Sequence, residues 1–265
     1  MIIDGHAHSC GEFYEAENII DKLDELRVDK IILCPGVKNE PKGYNLPELA
    51  KKINNTDIML GLNRIIKLIS TPQTAANLEA RNEYVHTLHS QYPERILQFY
   101  WADPSQEDIV HLHDKFCEWG FCGIKLHQCF HRFDSDSSGV DVIADFARDK
   151  EMPVFIHLYT SADARKFINT AKRHKETNFI IAHLIGLNTF IENAKELTNL
   201  YFDVSPTPLI SPKRILQAID SFGPSRILLG SDTPFGSENL GKNIHKIRQL
   251  DISENEKEHS CNKQK

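Results

Sequence analysis

The sequence predicts an α/β protein of the (β/α)8 TIM barrel class, and three observations indicate it. Short apolar segments alternate with amphipathic segments along the whole chain, giving eight strand–helix alternations. The apolar segments are apolar throughout, as in parallel strands that are buried on both faces. The length of 265 residues suits one barrel domain. A doubly wound open sheet is the alternative, but Gly5-His6-Ala7-His8 is not the phosphate-binding loop such a sheet carries after its first strand.

The predicted elements follow from apolar runs, their period and their stop signals. Pro35-Gly36 ends the second strand, Asp103-Pro104 ends the third, and Ser105 and Gly120 cap the helix between the third and fourth strands. The predicted strands are residues 2–4, 30–34, 95–101, 122–127, 154–157, 178–183, 200–203 and 226–232. The predicted helices are residues 15–27, 45–53, 75–91, 105–119, 138–150, 161–174, 187–197, 212–221 and 238–250.

Two segments fit the alternation less well. Residues 37–72 are irregular, with an apolar patch at 59–62, and we interpret them as an insertion after the second strand. The polar residues 253–265 are expected to add one turn or to fray. We expect the whole chain, residues 1–265, to form a single domain.

Composition narrows the function classes. The formal charge of −6 argues against a nucleic-acid-binding surface, which would be basic. No signal segment and no apolar run long enough to span a membrane is visible, so we expect a cytoplasmic protein without a membrane partner. Six cysteines include no Cys-x-x-Cys pair, which indicates reduced thiols rather than a zinc–thiolate site.

The first strand leads into a pair of histidines, His6 and His8. Side chains two residues apart on a strand point the same way, so both imidazoles would aim at one point. Imidazole is the commonest protein ligand for zinc and similar divalent metals. The pattern therefore predicts the start of a metal site.

Polar side chains also end several later strands. Directly after apolar runs come Lys125 and His127, then His157, His183 and Asp232. In a (β/α)8 barrel the active site lies at these carboxyl ends of the strands. A buried polar side chain must be paired with another group or bound to one. Because these side chains occupy matching positions at the ends of several strands, they predict a shared divalent cation.

The chain resembles the amidohydrolase superfamily, in particular the branch called amidohydrolase family 2. The motifs that carry this resemblance are Ile3-Asp4-Gly5-His6-Ala7-His8, Gly123-Ile124-Lys125-Leu126-His127, Val154-Phe155-Ile156-His157, Ile181-Ala182-His183-Leu184-Ile185-Gly186 and Leu229-Gly230-Ser231-Asp232-Thr233-Pro234-Phe235-Gly236. The resemblance implies a (β/α)8 barrel in which His6, His8, His157 and Asp232 surround one divalent metal, usually zinc. It also implies that His183 either assists proton transfer or holds a second metal.

The expected activity is hydrolysis of an amide, ester or lactone in a small, carboxylate-bearing substrate. Zinc lowers the pKa of a bound water to about 7, which makes hydroxide available at neutral pH. Asp232 is the candidate general base, and His183 would polarise the substrate or shuttle a proton. Candidate substrate-binding residues are Lys125, His127 and Arg132, and Arg64 and His131 are further donors.

Several alternatives stay open at this point. The resemblance implies that Lys125, if carboxylated, would bridge two metals, with His157 and His183 holding the second ion, whereas as a free amine it would pair with a carboxylate or bind the substrate's acid group. The same ligands would serve a non-oxidative decarboxylase of an aromatic or unsaturated acid. A TatD-like deoxyribonuclease usually has Glu where this chain has Lys125. A binding protein without chemistry would more often lose one of the ligands.

One departure from the family pattern limits what the resemblance carries over. The family pattern often has Pro after the fourth-strand histidine, where this chain has Gln128. We therefore assign no role to the loop 129–134 on the basis of the resemblance. The resemblance also implies a homodimer.

Overall fold

The computed structural model describes residues 1–36, 41–54, 57–69, 77–106, 108–236 and 238–257. Within these residues the strands are β1 Ile3–His8, β2 Lys30–Cys34, β3 Ile96–Trp101, β4 Gly123–His127, β5 Val154–His157, β6 Phe179–Ile181, β7 Leu200–Asp203 and β8 Ile227–Leu228. The α-helices are α1 Ala16–Leu26, α2 Ile58–Ile69, α3 Leu78–Gln91, α4 Ile109–Trp119, α5 Ser138–Asp149, α6 Ser161–Arg173, α7 Leu187–Asn193, α8 Pro212–Phe222 and α9 Asn239–Arg248.

The strands follow one another in chain order, β1 to β8, in one eight-stranded sheet. The strand pairs β1–β2, β2–β3, β3–β4, β4–β5, β5–β6 and β7–β8 are parallel. With helices between the strands, this is the predicted (β/α)8 TIM barrel topology. The chain divides into two compact units, one of residues 1–56, 79–98 and 202–265 and a second of residues 57–78 and 99–201. The single-domain expectation stays a prediction.

The first unit contains β1, β2, the start of β3, the end of β7 and β8. Its β1 also bonds to the segment around β8, because Gly5 N–H donates to the Leu229 carbonyl at 2.8 Å and His8 N–H donates to the Thr233 carbonyl at 2.9 Å. All six residues of β1 are buried, which suits a strand with neighbours on both sides. The side chains that end β1 and β8 therefore share a buried environment.

The second unit contains the end of β3, then β4, β5 and β6. Strands β4 and β5 pair over their whole length, from Ile124 opposite Val154 to His127 opposite His157. Both strands are buried throughout, as their apolar sequences predict. The pairing fixes His127 and His157 side by side.

The two ends of α4 confirm one predicted cap and correct the other. Gly120 ends α4 in the left-handed conformation as predicted, but the N-cap of α4 is Asp108, not Ser105. Asp108 accepts a hydrogen bond from Val110 N–H, whereas the Ser105 hydroxyl donates to Asp103 at 2.8 Å. Ser105 is therefore held in the turn that follows β3, and the N-cap of the helix lies three residues later than predicted.

The helix predicted within residues 37–72 needs correction, whereas their interpretation as an insertion stays a prediction. The predicted helix over 45–53 is reduced to one 3₁₀ turn, Leu49–Lys51. Instead, α2 runs over Ile58–Ile69, where the sequence showed only an apolar patch. This helix carries a fully buried Asn63 and thus contributes to the interior of the second unit. Residues 37–40, 55–56 and 70–72 lie outside the described residues.

Other boundaries differ by a few residues. β1 extends to His8, so the histidine pair lies inside the strand, whereas β6 and β8 are shorter than predicted. Residues 254–257 form one helical turn, and the rest of the predicted C-terminal tail lies outside the described residues. Among the described helices, none is both long enough and apolar enough to cross a membrane.

Two helical glycines offer a test of packing in the second unit. A Cβ at Gly139 in α5 would collide with the backbone carbonyl oxygen of Pro104, whereas a Cβ at Gly61 in α2 would meet nothing within 4 Å. We expect Gly139→Ala to lower the free energy of unfolding by about 1–3 kcal/mol through overpacking. Gly61→Ala should raise it by about 0.5–1 kcal/mol through lost backbone entropy in the unfolded chain. Urea denaturation measures both, and similar effects of the two changes would contradict the described packing.

Candidate metal centre

Three of the predicted ligands converge in the first unit. His6 and His8 come from β1, and Asp232 follows β8. One ligand atom from each lies within 4.8 Å of the others, and all three side chains are buried. The same carboxylate oxygen, Oδ1 of Asp232, lies 3.4 Å from His8 Nε2 and 3.8 Å from His6 Nδ1. This group is the core of the candidate site.

The chemistry of these donors fits a cation. His8 Nδ1 lies 2.8 Å from the Pro35 carbonyl oxygen, which can only accept, so Nδ1 carries the proton. In the neutral ring, Nε2 then presents a lone pair towards an Asp232 oxygen. Two acceptors at this distance must share a proton or a metal ion. A tetrahedral zinc ion with bonds of about 2.0–2.1 Å places its donor atoms about 3.3–3.4 Å apart, close to the observed spacing.

A second carboxylate joins this group, and the sequence reasoning missed it. Asp203 at the end of β7 places Oδ2 3.4 Å from His6 Nδ1 and has 1% exposure. Ser205 holds it, donating from its hydroxyl to Oδ2 at 2.7 Å and from its backbone N–H to Oδ1 at 3.1 Å. The missed signal was the same as for the other ligands, because Asp203 follows the apolar run Leu200-Tyr201-Phe202.

The backbone around the ligands is held by a buried acid. Asp4 Oδ1 accepts hydrogen bonds from the backbone N–H of Ser231 at 2.8 Å and of His6 at 3.3 Å. Burial raises the pKa of Asp4 to about 7, although these hydrogen bonds favour its charged form. Asp4 therefore positions the main chain beside two ligands. Asp232 adopts a left-handed conformation with φ 52°, which costs free energy in a non-glycine residue and is typical of functional positions.

Gly230 shows how tightly this site is built. A Cβ at this position would collide with Oδ1 of Asp203 and approach His6 Cβ to 3.1 Å. The glycine is thus required by the close approach of its backbone to two site residues, which is a common reason for glycine in a strand.

His157, the fourth predicted ligand, lies in the second unit, buried at the end of β5. Asn63 of α2 donates through Nδ2 to the carbonyl oxygens of Leu158 at 2.9 Å and Tyr159 at 2.8 Å. Its Oδ1 then faces His157 Nε2 at 2.8 Å and must accept the proton of that nitrogen. In the neutral ring, Nδ1 of His157 carries the lone pair that a metal or proton would use. Its role as a ligand beside His6, His8 and Asp232 stays a prediction.

Another set of metal-type side chains in the second unit does not fit an ion. His127, Cys129 and His157 lie close together, but the two imidazole rings are stacked at 3.9 Å with 12° between their planes. A metal lies near the plane of each imidazole that binds it, so stacked rings do not share one. Burial also raises the pKa of Cys129 to about 12, which disfavours the thiolate.

The remaining candidates of the second unit occupy different surroundings. The His183 ring is 5.0 Å from the His157 ring, and the backbone of His183 is left-handed with φ 56°. Lys125 is fully buried, with Nζ 3.9 Å from the centre of the Phe155 ring. Arg132, in contrast, is exposed in the loop after β4. The structure thus brings His157, His127 and His183 together and leaves Arg132 at the surface.

The strand order and the buried imidazole–carboxylate group at the ends of β1, β7 and β8 define a (β/α)8 protein with a candidate metal centre. A family model described as amidohydrolase matches residues 61–259. The chain therefore belongs to the amidohydrolase family, a family of enzymes that are generally metal-dependent. No curated protein matches the sequence.

Solved structures show the same fold. An amidohydrolase from Burkholderia multivorans with bound zinc has a TM-score of 0.66 at 11% identity, covering 99% of this chain and 96% of that one. 2,6-Dihydroxybenzoate decarboxylase from Rhizobium has a TM-score of 0.67 at 13% identity, covering 98% and 95%. A probable 2-pyrone-4,6-dicarboxylic acid hydrolase from Acinetobacter baumannii has a TM-score of 0.67 at 13% identity, covering 98% and 96%. At these identities the likeness shows the fold alone.

The hydrogen bonds of Asn63 generate a test. We expect Asn63→Leu to lower the free energy of unfolding by about 1–3 kcal/mol for each buried partner left unsatisfied and to change the tautomer of His157. Nitrogen-15 NMR of the histidine rings measures the tautomer, and urea denaturation measures stability.

Asn199→Leu is the matched control for this test. Asn199 is also buried in the second unit, and its amide donates to three backbone carbonyl oxygens, those of Ala171, His174 and Thr177. It should lose stability but keep the His157 ring signals. An unchanged His157 spectrum in Asn63→Leu would contradict the assigned role.

Proposed function

We propose that this amidohydrolase-family protein is a metal-dependent hydrolase that cleaves a C–N or C–O bond in an amide, ester or lactone. The observation that carries the proposal is the buried convergence of His6, His8 and Asp232, in which two imidazole nitrogens face one carboxylate oxygen. Family membership and the zinc in the Burkholderia multivorans structure support a divalent cation.

His6, His8, His157 and Asp232 are the proposed ligands of one zinc ion per chain. When bound, the ion would act as a Lewis acid that makes water available as a nucleophile at neutral pH. The Asp203 carboxylate and the Ser205 hydroxyl both lie 3.4 Å from His6 Nδ1, the same ring nitrogen that faces Asp232, so both belong to the surroundings of the proposed ion. His8 is oriented by the Pro35 carbonyl.

Asp232 is the proposed general base. Its carboxylate would take a proton from the attacking water and give it to the leaving amine or alcohol. His183 would donate a hydrogen bond to the substrate carbonyl or pass a proton between groups. The strained backbone at both residues supports a functional role for them, since such strain persists only where the surrounding structure enforces it.

The proposed substrate is small and carries a carboxylate. Lys125, His127 and Arg132 are the proposed substrate-binding residues, and all three lie on β4 or in the loop after it. Lys125 has a second proposed role. If CO₂ carboxylates its amine, the resulting carbamate would be a further metal ligand, and His157 and His183 would help to hold a second ion.

Decarboxylation of an aromatic or unsaturated acid is the alternative reaction, since the same residues would serve it. The likeness to 2,6-dihydroxybenzoate decarboxylase keeps this alternative in the test. The amidohydrolase match supports this branch over a TatD-like deoxyribonuclease, and so does the formal charge of −6.

The metal-binding part of the proposal has a direct test. Elemental analysis of the purified protein should give one equivalent of zinc, and Asp232→Asn should lose most of it. Turnover should fall by about 10²–10⁴-fold, because the variant lacks the base. Asp220→Asn, an exposed change on α8, is the control and should keep metal and turnover. Near-normal turnover in Asp232→Asn would reject the proposed base, and two equivalents of metal would support the carboxylated lysine.

The reaction itself is tested on the zinc-loaded protein with lactones, N-acyl compounds, aromatic acids and single-stranded DNA. Hydrolysis incorporates oxygen-18 from labelled water into the product, whereas decarboxylation releases CO₂. We expect label incorporation from a lactone or N-acyl compound. CO₂ release without label would establish the alternative, and cleavage of DNA alone would contradict both.

A further inference from the structure

A pocket of about 350 Å³ opens in the second unit, formed by α2, the loops after β4 and β5, and the first turns of α6. We call it the basic pocket. It is lined by Lys67, Gln128, Arg132, Phe133, Asp134, Tyr159, Asp163 and Lys166. Its volume falls within the range of small-molecule sites.

The two acidic residues of the basic pocket are already engaged. Asp163 Oδ2 accepts hydrogen bonds from the backbone N–H and hydroxyl of Thr160, at 3.0 and 2.5 Å. Asp134 Oδ2 lies 2.5 Å from Lys166 Nζ, and this hydrogen bond lowers the pKa of Asp134. Both carboxylates are therefore engaged by partners in the protein.

Two cations of the pocket, Lys67 and Arg132, contact no carboxylate among the residues that the structure describes. Lys67 Nζ lies 4.1 Å from the centre of the Tyr159 ring, a cation–π contact that leaves its charge uncompensated. Arg132 is exposed, and among the described residues no carboxylate or carbonyl lies in bonding contact with its guanidinium. The pocket thus has unneutralised positive charge beside its paired groups.

The walls of the pocket are braced before any ligand binds. Gln128 Oε1 accepts from Tyr159 N–H at 2.9 Å, and Gln128 Nε2 donates to the Phe133 carbonyl at 3.1 Å. This one side chain ties the loop after β4 to the loop after β5. The Phe133 and Tyr159 side chains are half-buried, so the pocket offers aromatic surface beside its cations. Preorganised walls reduce the cost of ordering on binding.

We propose that the basic pocket binds a small organic anion, with the carboxylate or phosphate group held by Arg132 and Lys67 and the apolar body against Phe133 and Tyr159. Arg132 can donate two parallel hydrogen bonds to such a group, and Lys67 supplies a second charge. Lys67 lies in a segment that the sequence reasoning left without a role. The pocket lies close to a proposed ligand, since Asn63 bonds both to His157 and to the Tyr159 carbonyl.

If the proposed function holds, this anion is the acid group of the substrate. That statement alone rests on the proposed function. Binding by the pocket does not, because every lining residue belongs to the second unit, whereas Asp232 belongs to the first.

Calorimetric titration of the zinc-loaded protein with benzoate, phenyl phosphate and benzamide tests the proposal. Benzoate and benzamide have nearly the same shape and differ in charge. We expect at least one anion to bind about 10–100-fold more tightly than benzamide, in line with charge-assisted hydrogen bonds. The anion that binds more tightly identifies the carboxylate or phosphate class. Equal binding of benzamide, or no binding of either anion, would overturn the proposal.

Variants locate the binding. Arg132→Gln and Lys67→Gln should each weaken the affinity for the anion by about tenfold or more. Arg165→Gln is the matched control, since Arg165 is exposed on α6 beside Lys166 but does not line the pocket. It should bind as the unchanged protein does. Full affinity in both pocket variants, or an equal loss in the control, would contradict the assignment.

Asp232→Asn separates this proposal from the proposed function. It should keep anion affinity while losing turnover. Anion binding that vanishes with Asp232→Asn would show that the anion sits on the metal centre, which overturns the pocket assignment. If the unsubstituted protein binds the anion but turns over none of the tested substrates, the pocket assignment stands and the proposed function fails.

Discussion

The burial of acidic and imidazole groups at the ends of β1, β7 and β8 constrains the rest of the first unit. Asp203 and Asp232 both approach His6 Nδ1, at 3.4 and 3.8 Å, and all of them are almost inaccessible to water. Removing a charged group from water costs several kcal/mol even after relaxation. A divalent cation coordinated there would offset much of that cost, so the fold and the proposed chemistry depend on the same interaction.

Two imidazoles in different parts of the chain are each oriented by a hydrogen bond from one ring nitrogen. His8 donates from Nδ1 to the Pro35 carbonyl, and His157 donates from Nε2 to Asn63. One ring nitrogen is thus committed to the protein, and the other is presented as a lone pair in the neutral ring. Such outer hydrogen bonds set the tautomer and orientation of metal-binding histidines. Under the proposed function, a buried polar residue outside the ligand set, such as Asn63, would act through the imidazole that it orients.

Much of this could be predicted from the sequence, and the exceptions have physical causes. Strands β2, β5 and β7 match their predicted bounds because each is a short apolar run with polar residues or proline at its ends. The helix α2 was missed because its apolar residues lie in an irregular segment, and Asp108 replaced Ser105 as a cap because Asp103 binds Ser105. Asn63 could not be found, since its role exists only through contacts about 95 residues away.

The most direct measurement of the central claim is anomalous diffraction at the zinc edge from crystals of the zinc-loaded protein. The account requires an anomalous peak about 2.0–2.2 Å from His8 Nε2 and from a carboxylate oxygen of Asp232, with His6 in the same coordination shell. A peak confined to surface histidines, or none beside Asp232 in a protein that is active, would contradict it.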